Sequence, residues 1–236
     1  MTGLGARGLV AGYGAATVLR GVDLAVSPGE IVAVLGHNGA GKSTLLKAIF
    51  GLLPLDDGRI AIGGVDVTSA GSHDRVRHGL AYSPQQQFVF ATLSVRENFG
   101  LARFAVGASA PPTADRLVEV FELFPILAER LNQRAGTLSG GQQRMLSIAM
   151  AMLTEPTVML LDEPSLGVAP TVIRDLMAAL RTLAADRGLA VVVVEQNVRQ
   201  AVEVADRVCV LKRGEVVHEG PADEALVARD DLWTLL

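Results

Sequence analysis

The sequence contains one stretch whose residue types and spacing suit it to bind a chain of phosphates. It fits the pattern G-x-x-x-x-G-K-[ST], and its candidate contact residues are Gly36, Asn38, Gly39, Ala40, Gly41, Lys42, Ser43 and Thr44. Glycines let backbone N–H groups converge on phosphate oxygens because no Cβ stands in the way. Lys42 is long enough to reach β- and γ-phosphates, and the Ser43 hydroxyl can ligate Mg²⁺. The stretch therefore predicts a site for a magnesium nucleotide; the alternative is a glycine turn that binds nothing.

The segments on either side of this loop supply the context that it needs. Ile31–Leu35 is a continuous apolar run typical of a buried strand, and Leu45–Phe50 is predicted to be a helix that stops at Gly51. Strand, glycine loop and helix in this order are the arrangement in which the pattern binds phosphate. The helix N-terminus adds positive electrostatic potential beside the phosphates.

A pair of acidic residues, Asp162 and Glu163, follows a second apolar run, Thr157–Leu161. Such a run is typical of a central parallel strand that is covered on both faces. Asp162 is expected to hold Mg²⁺, and Glu163 to orient and deprotonate an attacking water. The alternative is that both are ordinary loop acids, and the phosphate-binding pattern upstream favours the functional interpretation.

A third stretch combines a serine with two glycines ahead of a helix that is predicted to begin near Gln142. Its candidate residues are Ser139, Gly140, Gly141 and Gln142. Free N–H groups at a helix N-terminus bind anions, and a serine at this position also caps helices. The residues alone leave both interpretations open: a second phosphate-binding turn or a helix cap.

Tyr13 lies at the end of a predicted strand, ahead of the phosphate-binding loop. An aromatic ring there could stack on a purine base. A strand-end tyrosine with its hydroxyl in water is the simpler alternative, and on the residues alone we favour it.

The alternation of predicted strands and helices indicates an α/β fold with a mainly parallel sheet and ligands at the carboxyl ends of its strands. We expect one domain over residues 1–236, with a core formed by 1–86 and 156–236. A helical subdomain is predicted to be inserted at about 87–155, and a short helix at 221–236.

Composition excludes several classes of protein. The net charge is −4 with no basic block, so the sequence carries no nucleic-acid footprint. Cys209 is the single cysteine, which rules out a disulfide within the chain. The longest apolar runs have the length of strands and fall short of the ~20 residues of a membrane span. If the protein works at a membrane, we expect it to dock onto another protein there.

Taken in order, the phosphate-binding loop, Gln85, Leu138–Gln142 (LSGGQ) and Leu160–Pro164 (LLDEP) resemble the ATP-binding subunit of ABC transporters over nearly the whole chain. The resemblance implies a P-loop NTPase core with N-terminal antiparallel strands. It also implies a head-to-tail dimer with two ATP sites, in which the loop of one subunit faces the Ser139–Gly141 turn of the other.

The same resemblance assigns roles to single residues and to partners. Tyr13 becomes the adenine-stacking aromatic, which reverses the preference stated above. Gln85 becomes a contact of Mg²⁺ and of the attacking water, at the place where such proteins couple to transmembrane permease subunits. A solute-binding protein would act indirectly, and the chain would sit peripherally on the cytoplasmic face of the inner membrane.

Two positions depart from the general pattern of these ATPases. The usual S-A-L-D loop is replaced by Ser165–Val168, and the usual histidine that contacts the γ-phosphate is replaced by Gln196. A glutamine still donates a hydrogen bond but carries no charge. Both departures resemble the LivF-type branch, which powers branched-chain amino acid importers, and its relatives in urea and amide import. This branch favours pairing with a second, related ATPase over self-pairing.

Two functions other than that of an importer ATPase are also open. One is a soluble ABC-type nucleotide switch unconnected with transport, and the other is a nucleotide-binding scaffold with little hydrolysis.

Overall fold

We describe a computed structural model of the chain over residues 3–86, 89–105, 107, 114–196 and 198–223. The strands, in chain order, are β1 (Leu4–Tyr13), β2 (Ala16–Val26), β3 (Ile31–Leu35), β4 (Asp57–Ile62), β5 (Val65–Asp66), β6 (Leu80–Ser83), β7 (Val158–Asp162), β8 (Ala190–Val194), β9 (Arg207–Lys212) and β10 (Glu215–Pro221). The α-helices are α1 (Lys42–Phe50), α2 (Ser72–Arg77), α3 (Val95–Ala105), α4 (Ala114–Leu123), α5 (Pro125–Glu129), α6 (Gly140–Leu153), α7 (Pro170–Arg187) and α8 (Val198–Val204).

Two sheets form the architecture. The N-terminal sheet has the order β2-β1-β4-β5, and all its pairs are antiparallel. The larger sheet has the order β10-β9-β3-β8-β7-β6, and only its β9–β10 pair is antiparallel. The predicted α/β fold with a mainly parallel sheet and N-terminal antiparallel strands is therefore confirmed.

The register of the parallel strands brings their carboxyl ends to one edge. Val194 at the end of β8 pairs with Val34 of β3 on one side and with Asp162 of β7 on the other. All five residues of each of these three strands are buried, as expected of parallel strands that are covered on both faces. Polar residues that follow these strands consequently emerge next to one another.

The two faces of the parallel sheet contribute to two hydrophobic cores. On β3, Ile31, Ala33 and Leu35 belong to the core that includes α6, α7 and α8. Val32 and Val34 point the other way, into the core that the parallel sheet shares with α1 and the antiparallel sheet. This alternation follows from the two-residue period of a strand. It fixes α1 between the two sheets, with its N-terminus at the edge where the strands end.

A buried arginine, Arg75 of α2, holds the other end of α1. Its guanidinium donates hydrogen bonds to the carbonyls of Ala48 and Ile49, both at 2.7 Å, and to those of Ala70 and Thr68, both at 2.9 Å. A cation is favourable at a helix C-terminus, where the last carbonyls lack partners in the helix. The helix that follows the phosphate-binding loop is thereby anchored at the end away from the loop.

Helices α3 to α6 lie between β6 and β7 in the chain, and both Val120 of α4 and Phe124, which follows that helix, are buried. The division of the chain into a core and an inserted subdomain stays a prediction. Within the described ranges, no helix combines the length and the apolar character needed to span a bilayer.

Some predicted boundaries differ from the structure. The sequence predicts a first strand at Gly8–Tyr13, but β1 begins at Leu4, because it pairs with β4 as well as with β2. Helix α6 begins at Gly140, two residues before the predicted start, because Ser139 caps it. The Ser139 Oγ accepts from the Gln142 N–H at 3.3 Å, and the Gln142 Oε1 accepts from the Ser139 N–H at 3.0 Å. The predicted C-terminal helix lies outside the described residues, apart from its first three positions, where β10 ends.

Candidate nucleotide-binding and hydrolytic site

The glycine loop runs from the end of β3 to the start of α1, and glycines are required at two of its positions. Gly36 has φ +155°, and a Cβ on it would lie 2.3 Å from the carbonyl oxygen of Leu211. Gly41 has φ +108°, in the region that favours glycine. A residue with a Cβ could not follow the path of the loop at either position without strain.

Lys42 is buried and its ammonium group folds back over the loop. Its Nζ donates hydrogen bonds to the carbonyl oxygens of Gly36, at 2.5 Å, and of His37, at 3.0 Å. Burial lowers the pKa of Lys42, and the carboxylates of Glu163 and Asp162 oppose this shift. The ammonium is thus held in place by acceptors that phosphate oxygens can replace.

Asp162 connects β7 to the loop. Its Oδ1 accepts a hydrogen bond from the Ser43 hydroxyl at 3.1 Å, and its Oδ2 accepts one from the Tyr82 hydroxyl at 3.2 Å. Burial raises the pKa of Asp162, while these two hydrogen bonds act in the opposite direction. Burial and the nearby Asp162 together raise the pKa of Tyr82, so this phenol stays a neutral donor.

The pair of Ser43 and Asp162 suits Mg²⁺. Both supply hard oxygen atoms, and these atoms are close enough for one cation to contact both, directly or through water. Among the described residues no cluster of three or more His, Cys, Asp or Glu side chains offers a metal cage. A magnesium nucleotide needs only a few protein ligands, because phosphates and water fill the other positions.

Glu163, Gln85 and Gln196 come together as one cluster. The Gln85 Nε2 donates to the Glu163 Oε2, and the Gln196 Nε2 donates to the Glu163 Oε1, both at 2.6 Å. A carboxylate only accepts hydrogen bonds, so both amides turn their nitrogen atoms towards it. Glu163 is buried and has φ +51°, an uncommon conformation for a residue with a Cβ. The three predicted catalytic residues, which lie far apart in the sequence, therefore share direct contacts.

An open pocket of about 360 Å³ covers the glycine loop. Its lining residues are Val18, Asn38, Gly39, Gly41, Lys42, Ser43, Thr44, Gln85 and Glu163. Most predicted phosphate contacts and two of the predicted catalytic residues thus face one cavity that is open to solvent.

Two predicted nucleotide contacts are not part of the pocket lining. Neither Tyr13 nor the Ser139–Gln142 turn, both of which are described, lines the pocket. Tyr13 is half exposed at the end of β1. Ser139 and Gly140 are exposed, and Gly141 packs so closely that a Cβ on it would lie 2.4 Å from the Gly167 carbonyl oxygen.

The structure adds three polar residues that the sequence analysis did not identify as part of the site. Tyr82 binds Asp162, as described above, and Arg144 donates hydrogen bonds to the carbonyls of Pro84 and Asp162. Glu195 lies between Gln196 and the turn after Glu163. The sequence could have indicated Tyr82 and Glu195 as site residues, because both lie at the end of a predicted strand. It could not have indicated Arg144, because a polar residue near the start of a helix is ordinarily exposed.

Comparison with known proteins gives a consistent result. Residues 19–166 match the family model described as ABC transporter. The chain is 38% identical over 218 residues to the probable branched-chain amino acid transport ATP-binding protein LivF of Archaeoglobus fulgidus, covering 92% of each protein. It is 40% identical to the high-affinity branched-chain amino acid transport ATP-binding protein BraG of Pseudomonas aeruginosa, covering 87% of each. It is 36% identical to the lipopolysaccharide export system ATP-binding protein LptB of Escherichia coli, covering 96% of this chain and 93% of that protein.

Solved structures agree with the sequence relatives. An ATP-binding subunit of an ABC transporter matches with a TM-score of 0.86 and 31% identity, covering 95% of this chain and 92% of the other. A bacterial ABC transporter cassette solved as a dimer matches with a TM-score of 0.83 and 25% identity, covering 93% of this chain and 99% of the other. The chain therefore belongs to the ABC transporter family, as an ATP-binding subunit that hydrolyses ATP.

Proposed function

We propose that this chain is the ATPase subunit of an importer for branched-chain amino acids. One observation supports ATP hydrolysis by this chain. Glu163 lines the pocket over the glycine loop, and two side-chain amides donate hydrogen bonds to its carboxylate. The names of the LivF and BraG relatives support the substrate class. Gln196 and Ser165–Val168, at which the chain departs from the general ABC pattern, support the same branch.

In this proposal each residue of the site has a defined task, and Gln85 has two. The loop N–H groups and Lys42 bind the β- and γ-phosphates, and the ring of Tyr13 stacks on the adenine. Glu163 accepts a proton from the attacking water, while Gln85 and Gln196 fix its carboxylate and the water. Ser43, Asp162 and Gln85 would hold Mg²⁺, which neutralises charge on the phosphates when it is bound.

The ATP site is completed by a second subunit. Ser139 and Gly140 are exposed, and the Ser139–Gly141 turn does not line the pocket of its own chain, so it can face the phosphates bound by a partner. A ligand shifts an equilibrium only through its different affinity for the two states. ATP binds the closed dimer more tightly than the open one, because it contacts both subunits only in the closed dimer. The partner is a related ATPase or a second copy of this chain.

The transmembrane permease subunits would dock next to Gln85. A mainly apolar groove of about 390 Å³ lies there between α1, β6, α3 and α6, with Pro84, Phe90 and Met150 in its lining. Leu52 and Phe90, on its rim, are 58% and 53% exposed. Large apolar side chains exposed together mark interaction surfaces. This contact would place the chain peripherally on the cytoplasmic face of the inner membrane, and a solute-binding protein would act through the permease.

A second candidate function is favoured by one comparison. LptB, which is 36% identical to the chain, is named for export of lipopolysaccharide. Import of urea or amides is a third possibility within the LivF-like branch. Because the solute contacts the permease and not the ATPase, the membrane partners decide among these functions.

Co-purification from native membranes tests the proposal. The tagged chain, extracted in mild detergent, is expected to bring down two hydrophobic membrane proteins and a second ATPase. Leu52→Glu should lose the membrane proteins because it puts a charge on the groove. Val65→Glu is the matched control, since Val65 is 49% exposed on the distant strand β5; it should retain them.

The co-purified complex then identifies the solute. Reconstituted into vesicles, it should import leucine, isoleucine or valine, with urea as the competing candidate. A soluble partner without any membrane protein would overturn the transport function. Membrane partners that carry lipopolysaccharide outward would replace import with export.

A further inference from the structure

Glu195 is a buried acid beside the hydrolytic site, and it does not line the pocket over the glycine loop. Its Oε1 accepts a hydrogen bond from the Ser165 N–H at 3.1 Å. Its Oε2 accepts from the Ser165 Oγ–H at 3.0 Å and from the Gln196 N–H at 3.3 Å. One carboxylate thus joins the end of β8 to the turn that follows Glu163.

That turn determines where the Glu163 side chain points. Glu163 has φ +51°, which is unfavourable for a residue with a Cβ and has to be maintained by its surroundings. Its N–H donates to the Val194 carbonyl at 2.9 Å, and its carbonyl accepts from the Leu166 N–H at 3.2 Å. Ser165, between these two contacts, is fixed by Glu195 through both its backbone and its side chain.

We propose that Glu195 is a positioning residue for ATP hydrolysis. Its carboxylate ties the turn after Glu163 to the end of β8 and keeps the Glu163 carboxylate between Gln85 and Gln196. The inference rests on the proposed role of Glu163 as the base. It assigns Glu195 no contact with ATP or with the reacting atoms.

A carboxylate suits this position better than a neutral side chain. Three donors converge on it, and an ionised carboxylate has acceptor sites for all of them, whereas an amide has a single acceptor oxygen. Burial and the neighbouring Glu163 carboxylate raise the pKa of Glu195, and the hydrogen bonds from Ser165 and Gln196 oppose that shift. The positive charges of Arg144 and Lys42, which interact with Glu195, also favour its ionised form.

The test is steady-state phosphate release by the full chain with its co-purified subunits. Glu195→Ala should lower kcat by roughly 10- to 100-fold, because a small displacement of a catalytic group costs a factor of this size. The KM for ATP should change less than about twofold, since no ATP contact is lost. Glu195→Gln should recover part of kcat, because it keeps one acceptor for Ser165. The exposed Glu203, on α8, supplies the control Glu203→Ala, which should behave as the parent.

A double-mutant cycle shows whether Glu195 acts through Ser165. Ser165→Ala should lower kcat by itself, and adding it to Glu195→Ala should cost much less than the product of the two effects. Additive effects, or an unchanged kcat in Glu195→Ala, would overturn the proposal. A parallel loss of melting temperature and kcat in Glu195→Ala would also do so, because it indicates a structural role. If Glu195→Ala does not fold, the test uses Ser165→Ala, provided that its melting temperature is unchanged. A lower kcat in Ser165→Ala supports the proposal, and an unchanged kcat rejects it.

Glu163→Gln, measured alongside, separates this inference from the proposed function. If Glu163→Gln turns over at the parental rate, the assignment of the base fails, and the positioning role fails with it. If Glu163→Gln is slow while Glu195→Ala and Ser165→Ala match the parent, only the positioning role is wrong.

Discussion

Glu163→Gln should slow ATP turnover by roughly 10²- to 10⁴-fold, the usual contribution of a general base. The substitution keeps the size of the side chain but removes its ability to take a proton. It also disturbs the cluster, because a glutamine offers one acceptor oxygen to Gln85 and Gln196, which both donate to Glu163 at 2.6 Å. ATP affinity should stay within about threefold, since Lys42 and the loop are unchanged. Phosphate release under steady-state conditions and binding of a fluorescent ATP analogue measure the two effects.

The control for this variant is Glu203→Gln, which makes the same chemical change on an exposed face of α8. It should hydrolyse ATP like the parent. Parental turnover by Glu163→Gln would show that another group accepts the proton.

Lys42→Ala should abolish tight nucleotide binding. The ammonium now donates to two carbonyls of the loop, and in the complex we expect it to donate to β- and γ-phosphate oxygens. Hydrogen bonds to charged groups contribute about 1.5–3 kcal/mol each, so losing two of them predicts a loss of at least about 100-fold in affinity. The fluorescent ATP analogue measures this loss directly.

Lys47→Ala is the matched control, because Lys47 lies in the last turn of the same helix and away from the loop. It removes an equal charge and should leave ATP affinity nearly unchanged. If Lys42→Ala binds ATP as tightly as the parent, the glycine loop is not part of the ATP site.

Local patterns predicted much of this structure. The glycine loop could be predicted because the strand, turn and helix that form it are contiguous. The Ser43–Asp162 contact, between residues far apart in sequence, could be anticipated from a general rule. Loops that follow parallel strands emerge at the same edge of a sheet, and both residues follow or end such strands.

The rest of the fold and of the site could not be predicted locally, because it depends on which strands become neighbours in the sheet. The order β10-β9-β3-β8-β7-β6 places β3 between two strands from the far end of the chain. Strands β3, β7 and β8, at the centre of this order, are buried, largely apolar runs of five residues each, so their composition does not distinguish the possible neighbours. Glu195 and Arg144 become part of the site only through this order, since Ser165 lies 30 residues from Glu195 and Pro84 lies 60 residues from Arg144. The role of Gln196 was accessible through family resemblance, because an amide alone predicts no chemistry.

We expect the Ser139–Gly141 turn to serve the ATP site of a different subunit, and Gly140→Asp tests this expectation. A Cβ on Gly140 would meet nothing within 4 Å, so the subunit has room for the new side chain. An acidic residue in the first turn of α6 is also compatible with the helix dipole. In the closed dimer, however, its charge would repel the phosphates of the partner's ATP.

The measurement compares ATP binding by the purified chain with phosphate release by the assembled complex, for Gly140→Asp and for the milder Gly140→Ala. We predict that Gly140→Asp binds ATP like the parent when the chain is alone, yet loses at least about 100-fold in hydrolysis by the complex, whereas Gly140→Ala stays close to the parent. If the isolated Gly140→Asp chain no longer binds ATP, the turn belongs to the ATP site of its own subunit. If the Gly140→Asp complex hydrolyses ATP at the parental rate, the turn is not part of any ATP site. Either result would show that the turn does not complete the ATP site of a partner subunit.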